Sequence, residues 1–417
     1  MCDTLYVRFG RGPRQTGGLI VAKLKAGKPK PLLQHVKVMK KTVLIGFVIG
    51  ALAALPMALE GKNVADEDTR SLKQAAGKRF LMGVGTSSKV LANPVDAALV
   101  KRHFHILTPD NCMKPQAVQP SEGKWNFKTA DSFADFARTN GLQVTGHCLV
   151  WAKDDRTSAW MMEENGAPVS RETMLKRIET HVTKVAKRYA DVATMWDVVN
   201  EAVADGGENI LRDSVYSRTT GMDFLVTAFK AARAADPDAL LIYNDYGDHN
   251  PVKRAKIVAM LKELKRLGAP VDAFGMQGHF QIREDCIAEM RNTLAAMREL
   301  GLKVVVSELD IDMIPRNRWW ADGGKHREEL AKINPYPEDL PSELQQQLAS
   351  QYVELFKLFV ENSDLIERVS FWNLHDEESW LNTFPWKRVN HPLFFDRQRQ
   401  PKPAFDAVYQ YLSAPGK

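Results

Sequence analysis

The chain has 417 residues, 26% of them charged and 44% hydrophobic, with nine Trp, nine Tyr and 18 Phe. That composition excludes a disordered tail protein, a collagen-like repeat and a multi-span membrane protein, and leaves room for one large domain or two ordinary ones. The net charge of +6 sits at the front: residues 1–59 carry +9 and residues 60–417 carry −3, so the body has no basic stripe and nucleic acid is not an expected partner.

Residues 1–38 are basic, contain Gly and Pro and show no hydrophobic period. They read as a disordered extension, or as sequence upstream of a true start at Met39. From Met39 the pattern changes. Met-Lys-Lys precedes the apolar run Thr42 to Leu55, and Pro56-Met57-Ala58 follows it. A short positive start, an apolar stretch and small residues after it predict a secretory signal over 39–58, with Ala51-Leu52-Ala53 or Ala58 as cleavage points. A membrane anchor is the competing reading, but a spanning helix needs roughly 20 apolar residues and this run meets Pro56 first. A secreted or periplasmic protein without a stable membrane span is therefore expected. The cysteines (Cys2, Cys112, Cys148 and Cys286) form no CxxC pair and no zinc-ligand spacing, and are too few for a disulfide framework.

From residue 68 onward, short apolar β-rich segments alternate with longer amphipathic ones. The predicted strands are 80–84, 106–108, 143–150, 194–199, 240–244, 271–277, 303–309 and 369–374. Helical patterns at 131–140, 171–189, 221–235, 250–267, 286–300 and 343–362 lie between them. Alternation of this kind argues for a parallel sheet with helical crossovers, and eight units predict an α/β fold, a (β/α)8 TIM barrel forming a single domain over 68–414. An open doubly wound sheet is the runner-up. It is disfavoured because Gly83-Val84-Gly85-Thr86 lacks the third glycine of a dinucleotide-binding fingerprint.

Catalytic groups of a barrel come from the C-terminal ends of its strands. The polar residues collect there: Asp110, Asn111 and Lys114 after strand two, His147 and Trp151 on strand three, Asn200 and Glu201 on strand four. Gln277 and His279 follow strand six, Glu308 and Asp310 end strand seven, and Trp372 with Trp380 follow strand eight. Glu201 and Glu308 each close an apolar strand, so both can face one cleft. Two carboxylates at a shared site are what glycoside hydrolysis needs: one protonates the leaving oxygen, the other attacks the anomeric carbon or activates water. Asn200 is placed to bond the sugar hydroxyl beside the reacting carbon. His279 and Asp310 are placed to hold Glu308 ionised. Trp151, Trp372 and Trp380 offer flat apolar faces to sugar rings, and Asn111, Lys114 and His147 offer polar contacts to hydroxyls.

Two segments carry a family resemblance. Trp196-Asp197-Val198-Val199-Asn200-Glu201 resembles the acid/base signature of glycoside hydrolase family 10, the endo-1,4-β-xylanases, and Val305-Val306-Ser307-Glu308-Leu309-Asp310 resembles its nucleophile signature. Gly146 to Trp151, Tyr243 to Tyr246, Gln277-Gly278-His279 and Gln400 to Phe405 extend the similarity over about residues 68–414. The resemblance implies retaining hydrolysis of xylan, with Glu201 as acid/base and Glu308 as nucleophile. It also implies that Asp110, Asn111, Lys114, His147, Trp151, Asn200, Tyr246, Gln277, His279, Trp372 and Trp380 line the sugar subsites. No metal or cofactor is implied, xylan is the expected partner, and the chain is expected to act as a monomer.

Three positions depart from the family pattern: Asp110 stands for Glu, Pro115 for Trp and Ala152 for His. They bear on substrate positioning rather than on the two carboxylates. The stretch 315–334, with Trp319-Trp320, reads as a long loop shaping the aglycone side. In the expected mechanism the charge on Glu308 raises the pKa of Glu201 and keeps it protonated. A metal-dependent barrel using His103, His105, His147, His279 and Asp310 is disfavoured, because His103 and His105 precede their strand. The remaining alternatives are an inactive sugar-binding barrel, disfavoured by the presence of both carboxylates, and the same chemistry on cellulose or mixed-linkage glucan.

Overall fold

The computed structural model describes residues 68–415; the expected extension and signal segment, residues 1–38 and 39–58, lie outside the described residues. Eight parallel strands close into a barrel: β1 (Leu81–Thr86), β2 (Ile106–Pro109), β3 (Gln143–Trp151), β4 (Ala193–Asn200), β5 (Leu240–Asp245), β6 (Ala273–Met276), β7 (Lys303–Asp312) and β8 (Ile366–Trp372). Neighbours in space follow chain order, and the β8 to β1 pairing seals the ring, from Leu81 opposite Arg368 to Gly85 opposite Trp372. Each predicted strand is present. The main difference is that β7 runs three residues past its expected end, because its C-terminal part also pairs with a short strand, His279–Gln281.

Helices cover the outside: α1 (Pro94–His103), α2 (Lys128–Thr139), α3 (Arg171–Tyr189), α4 (Asp223–Ala235), α5 (Pro251–Arg266), α6 (Ile287–Leu300), α7 (Ser342–Glu361) and α8 (Pro403–Ser413). Their starts are encoded locally. Asn93 and Asn250 each precede a proline, and each side chain accepts from the backbone N–H groups of the second and third residues that follow it. Their inner faces follow the helical period: Ala130, Phe133, Ala134 and Ala137 of α2 are all buried. Each large side chain so buried contributes about 1.5–3 kcal/mol. Among the described residues no helix is long and apolar enough to cross a membrane.

Inside the ring, the N-terminal end is an apolar plug of Ile106, Met195, Ile242, Ala273 and Val305. Toward the other end the lining turns polar, and the site begins there. Two glycines make room for this. A Cβ on Gly85 would lie 2.7 Å from the Trp372 ring, and one on Gly275 would lie 2.3 Å from Asn244 Oδ1. The stretch 315–334 is less irregular than expected. It carries two 3-10 turns and a short helix, Arg327–Leu330, and packs on the segment after β8 through Trp319 on Trp386 and Trp320 on Phe384.

Candidate active site

Glu201 follows β4 in a left-handed backbone conformation, φ 57°. A non-glycine residue there costs about 1–3 kcal/mol and persists only when its surroundings enforce it. Here they do. Glu201 N donates to the Asn244 carbonyl of β5 at 2.9 Å, and the next two backbone N–H groups, of Ala202 and Val203, donate to Tyr243 Oη at 3.0 and 3.1 Å. The Tyr243 hydroxyl donates to Asp245. The neighbouring strand thus holds the turn that aims Glu201 into the barrel mouth.

Glu308 lies across the mouth, inside β7. Its Oε1 accepts from Asn244 Nδ2 at 2.8 Å and its Oε2 lies 3.2 Å from His279 Nε2. His279 Nδ1 lies 3.0 Å from Asp310 Oδ1, and Asp310 Oδ2 accepts from Trp380 Nε1 at 2.7 Å. Burial alone would push the His279 pKa down, but Asp310 and Glu308 outweigh it and raise it to about 9. Burial would push Glu308 up, but the His279 hydrogen bond and the charges of His147 and His279 hold it below its ordinary value. This direction favours the ionised form of Glu308.

The two carboxylates belong to one network. Gln277 Nε2 donates to Glu201 Oε1 at 3.1 Å, while the Gln277 carbonyl accepts from Glu308 N at 2.8 Å. Asn244 Nδ2 lies 2.9 Å from the Asn200 side chain and 2.8 Å from Glu308. Glu201 and Glu308 are 7% and 6% exposed, so each keeps a small face to solvent.

One expectation about protonation does not hold. Burial would raise the Glu201 pKa, yet the Lys153 charge, with hydrogen bonds from Lys153, Gln277 and Trp151, lowers it to about 2. The upward push between the carboxylates acts on Glu308 instead. The physical reason is Lys153: its ammonium is ion-paired with Glu201 Oε2, which also accepts from Trp151 Nε1 at 3.1 Å.

Lys114 Nζ lies 4.9 Å from the Trp151 ring centroid and donates to Asn111 Oδ1 at 3.0 Å, with Asp110 at 3.9 Å. His147 is buried, and its Nδ1 lies 2.8 Å from Asp197 Oδ2. Trp372 is also buried, packed edge-on to His147 and over Gly85. Tyr246 is held by Asp205 and Arg212 through its hydroxyl, at 2.7 and 2.8 Å, and its ring faces Lys253 and Lys153. Trp380 stacks on Phe384 and tilts against His279. His103 and His105 accept from Leu72 N and Met82 N, at the opposite end of the barrel.

Two residues missed by sequence reasoning matter here. Asn244 was signalled by the strand register, since it pairs with Asn200 on β4. Lys153 stands next to the noted Ala152, and its charge two residues after Trp151 was the available signal.

A (β/α)8 barrel with two carboxylates at its C-terminal mouth, surrounded by tryptophan and polar side chains, defines a glycoside hydrolase. The particular family is shown by comparison: the chain belongs to glycosyl hydrolase family 10, whose model matches residues 71–411. It is 37% identical over 337 residues to endo-1,4-beta-xylanase B of Paenibacillus barcinonensis, covering 80% of this chain and 96% of that one. It is 36% identical over 339 residues to an endo-1,4-beta-xylanase of Geobacillus stearothermophilus, covering 80% and 96%. It spans 51% of a longer relative, an endo-1,4-beta-xylanase/feruloyl esterase of Xylanibacter ruminicola, at 34% identity over 388 residues. Among solved structures, a Paenibacillus barcinonensis xylanase complexed with a conduramine derivative superposes with a TM-score of 0.76 at 35% identity, covering 82% of this chain and 99% of that one.

Proposed function

We propose that Glu308 and Glu201 are the nucleophile and the acid/base of an endo-acting β-1,4-xylanase that works by retaining double displacement. Glu308 attacks the anomeric carbon of a xylose unit, and Glu201 passes a proton to the departing glycosidic oxygen. A covalent xylosyl ester on Glu308 results. Water then enters from the face the departing sugar left, opposite the Glu308 ester; Glu201 takes its proton, and the C1–Glu308 bond breaks with the original anomeric configuration restored. The supporting observation is the shared network in which Gln277 bonds the Glu201 carboxylate, Asn244 bonds the Glu308 carboxylate, and both meet the Asn200 side chain. Asn200, Asn111, Lys114 and His147 are assigned to sugar hydroxyls, Trp151, Tyr246, Trp372 and Trp380 to the walls, and Asp110, one methylene shorter than Glu, to a weaker or water-mediated contact beyond the cleavage site. His279 and Asp310 support Glu308.

Xylan is preferred to other β-1,4-glycans because the relatives are named xylanases. The protein acts as a monomer outside the cytoplasm, exported by residues 39–58; N-terminal sequencing of exported protein tests the export reading. The central test is product analysis. Xylan digests should yield short xylo-oligosaccharides, and proton NMR at early times should show the β anomer first. An α anomer appearing first, or release of xylose alone from chain ends, contradicts the reading. The carboxyl oxygens are expected about 5–5.5 Å apart in a crystal structure, against roughly 6.5–9.5 Å for an inverting enzyme.

A further inference from the structure

A general acid must present a proton to the leaving oxygen, yet among the described residues every side chain hydrogen-bonded to or paired with the Glu201 carboxylate is a donor. Oε1 takes Gln277 Nε2, and Oε2 takes Trp151 Nε1 and Lys153 Nζ. Among the described residues no acceptor is hydrogen-bonded to this carboxylate to share a carboxylic proton, so the ionised form is the one this cage fits. The donors differ in freedom. Trp151 belongs to β3 and Gln277 follows β6, so both are held by the barrel wall. Lys153 is a long side chain, 26% exposed, on the loop after β3.

That loop is tightly anchored. The Lys153 carbonyl accepts from Thr157 Oγ1 at 2.7 Å and from Arg156 N at 3.1 Å. The adjacent Asp154 accepts from Val215 N at 2.6 Å and pairs with Arg218 at 2.5 Å. Only the side chain of Lys153 is therefore free to swing. Its ammonium sits between two aromatic walls, 5.9 Å from the Trp151 ring centroid and 5.5 Å from that of Tyr246. A sugar ring lying between those walls meets it.

Resting on the acid/base role assigned to Glu201, we propose that Lys153 is a positioning residue, a latch on Glu201 that the entering xylan chain displaces. In the free enzyme the latch keeps Glu201 as a carboxylate. When the sugar beyond the scissile bond enters between Trp151 and Tyr246, the ammonium leaves Oε2, and the carboxylate takes one proton from solvent and becomes the acid. After bond cleavage the proton has gone to the departing sugar. Lys153 returns as that sugar leaves and holds Glu201 ionised, ready to take the proton of the attacking water. The latch thus opposes the first half-reaction and assists the second.

The other charged and titratable groups facing Glu201 leave this role to Lys153. Glu308 of β7 is of like charge and lies near His279. Asp245 of β5 is paired with Lys253 at 3.0 Å, Tyr246 is engaged by Asp205, and Cys148 of β3 is buried. Arg212 reaches the Glu201 backbone carbonyl at 3.0 Å rather than its carboxylate.

The test compares wild type, Lys153→Met and Lys153→Arg, reading kcat/KM against pH on an unactivated xylo-oligosaccharide, and kcat on an aryl xylobioside with a good leaving group. Lys153→Met should move the alkaline limb of the oligosaccharide profile upward by one pH unit or more, a tenfold or greater gain above the wild-type limb. Its kcat on the aryl substrate should fall, because the second step limits there, and Lys153→Arg should retain the wild-type limb. An unmoved limb in a Lys153→Met protein that melts like wild type overturns the proposal. So does an equal shift in Lys153→Arg. Carbon-13 NMR of the Glu201 carboxyl in full-length Glu308→Gln protein needs no change at Lys153: its titration midpoint should rise when xylotetraose binds, and a constant midpoint overturns the latch. If the wild type releases nothing from xylan, the functional reading itself fails, which is a different outcome.

Discussion

At the scale of single residues, the two glutamates differ in what surrounds them. Glu308 has a cationic histidine on one oxygen and an amide on the other, which suits a nucleophile that stays ionised. Removing it leaves no group to form the covalent intermediate. Glu308→Ala should lower turnover on every xyloside by roughly 10^4-fold or more, as measured by steady-state kinetics; a loss below tenfold contradicts its role. Glu201→Ala should keep the first step on substrates with good leaving groups and slow the second, so a burst of aryl alcohol should precede a slow steady state. Equal loss on good and poor leaving groups would count against the acid/base assignment. Both glutamates were legible in the sequence because each closes an apolar run on its own strand. Their protonation was not: it depends on Lys153, whose contact with Glu201 is a matter of side-chain direction and not of strand position.

At the scale of an element, the turn after β4 is held from outside itself. Tyr243 Oη receives the Ala202 and Val203 N–H groups while its own proton goes to Asp245. Tyr243→Phe removes that acceptor in a dry region, leaving the Ala202 N–H unpaired and the Val203 N–H with Asp245 Oδ2 at 3.3 Å, at a cost of about 1–3 kcal/mol. Because those donors hold Glu201 at positive φ, kcat on xylan should fall at least tenfold while KM changes little. A variant with lower Tm and unchanged kcat would show that the turn does not need this clamp. A similar dependence links Gly275 to Asn244: Gly275→Ala places a methyl where Asn244 Oδ1 now lies, and should lower kcat by displacing Asn244 from Glu308. Neither dependence shows in one segment read alone. They arise where β5 meets β4 and β6, and only the register brings those residues together. The strands themselves were readable from apolar runs, and the helices from their period and caps. The ends were less so, as in β7, whose extension rests on pairing with His279–Gln281.

At the scale of the whole molecule, the barrel closes where β8 meets β1, and Glu378 clasps that seam. It accepts from Thr86 Oγ1 and Ser87 N at the end of β1 and from Leu374 N after β8. Burial pushes its pKa up to about 7, against an ordinary 4.5, despite those hydrogen bonds. A carboxyl with a raised folded-state pKa binds its proton more tightly when folded. Its contribution is therefore full below pH 4.5 and is lost as pH rises to about 7. Allowing for partial exposure, the loss is about 2 kcal/mol. Denaturant unfolding between pH 4.5 and 7 should show it, and Glu378→Gln should flatten that slope. An unchanged slope would mean Glu378 does not titrate at the seam.

The account stands on a covalent bond forming at one side chain. The most direct measurement is trapping with an activated 2-deoxy-2-fluoro xylobioside, followed by mass mapping of the digested protein. One adduct per chain, on the peptide bearing Glu308 and absent from Glu308→Ala, is the predicted result. No adduct while the wild type hydrolyses xylan, or an adduct on Glu201, would contradict it.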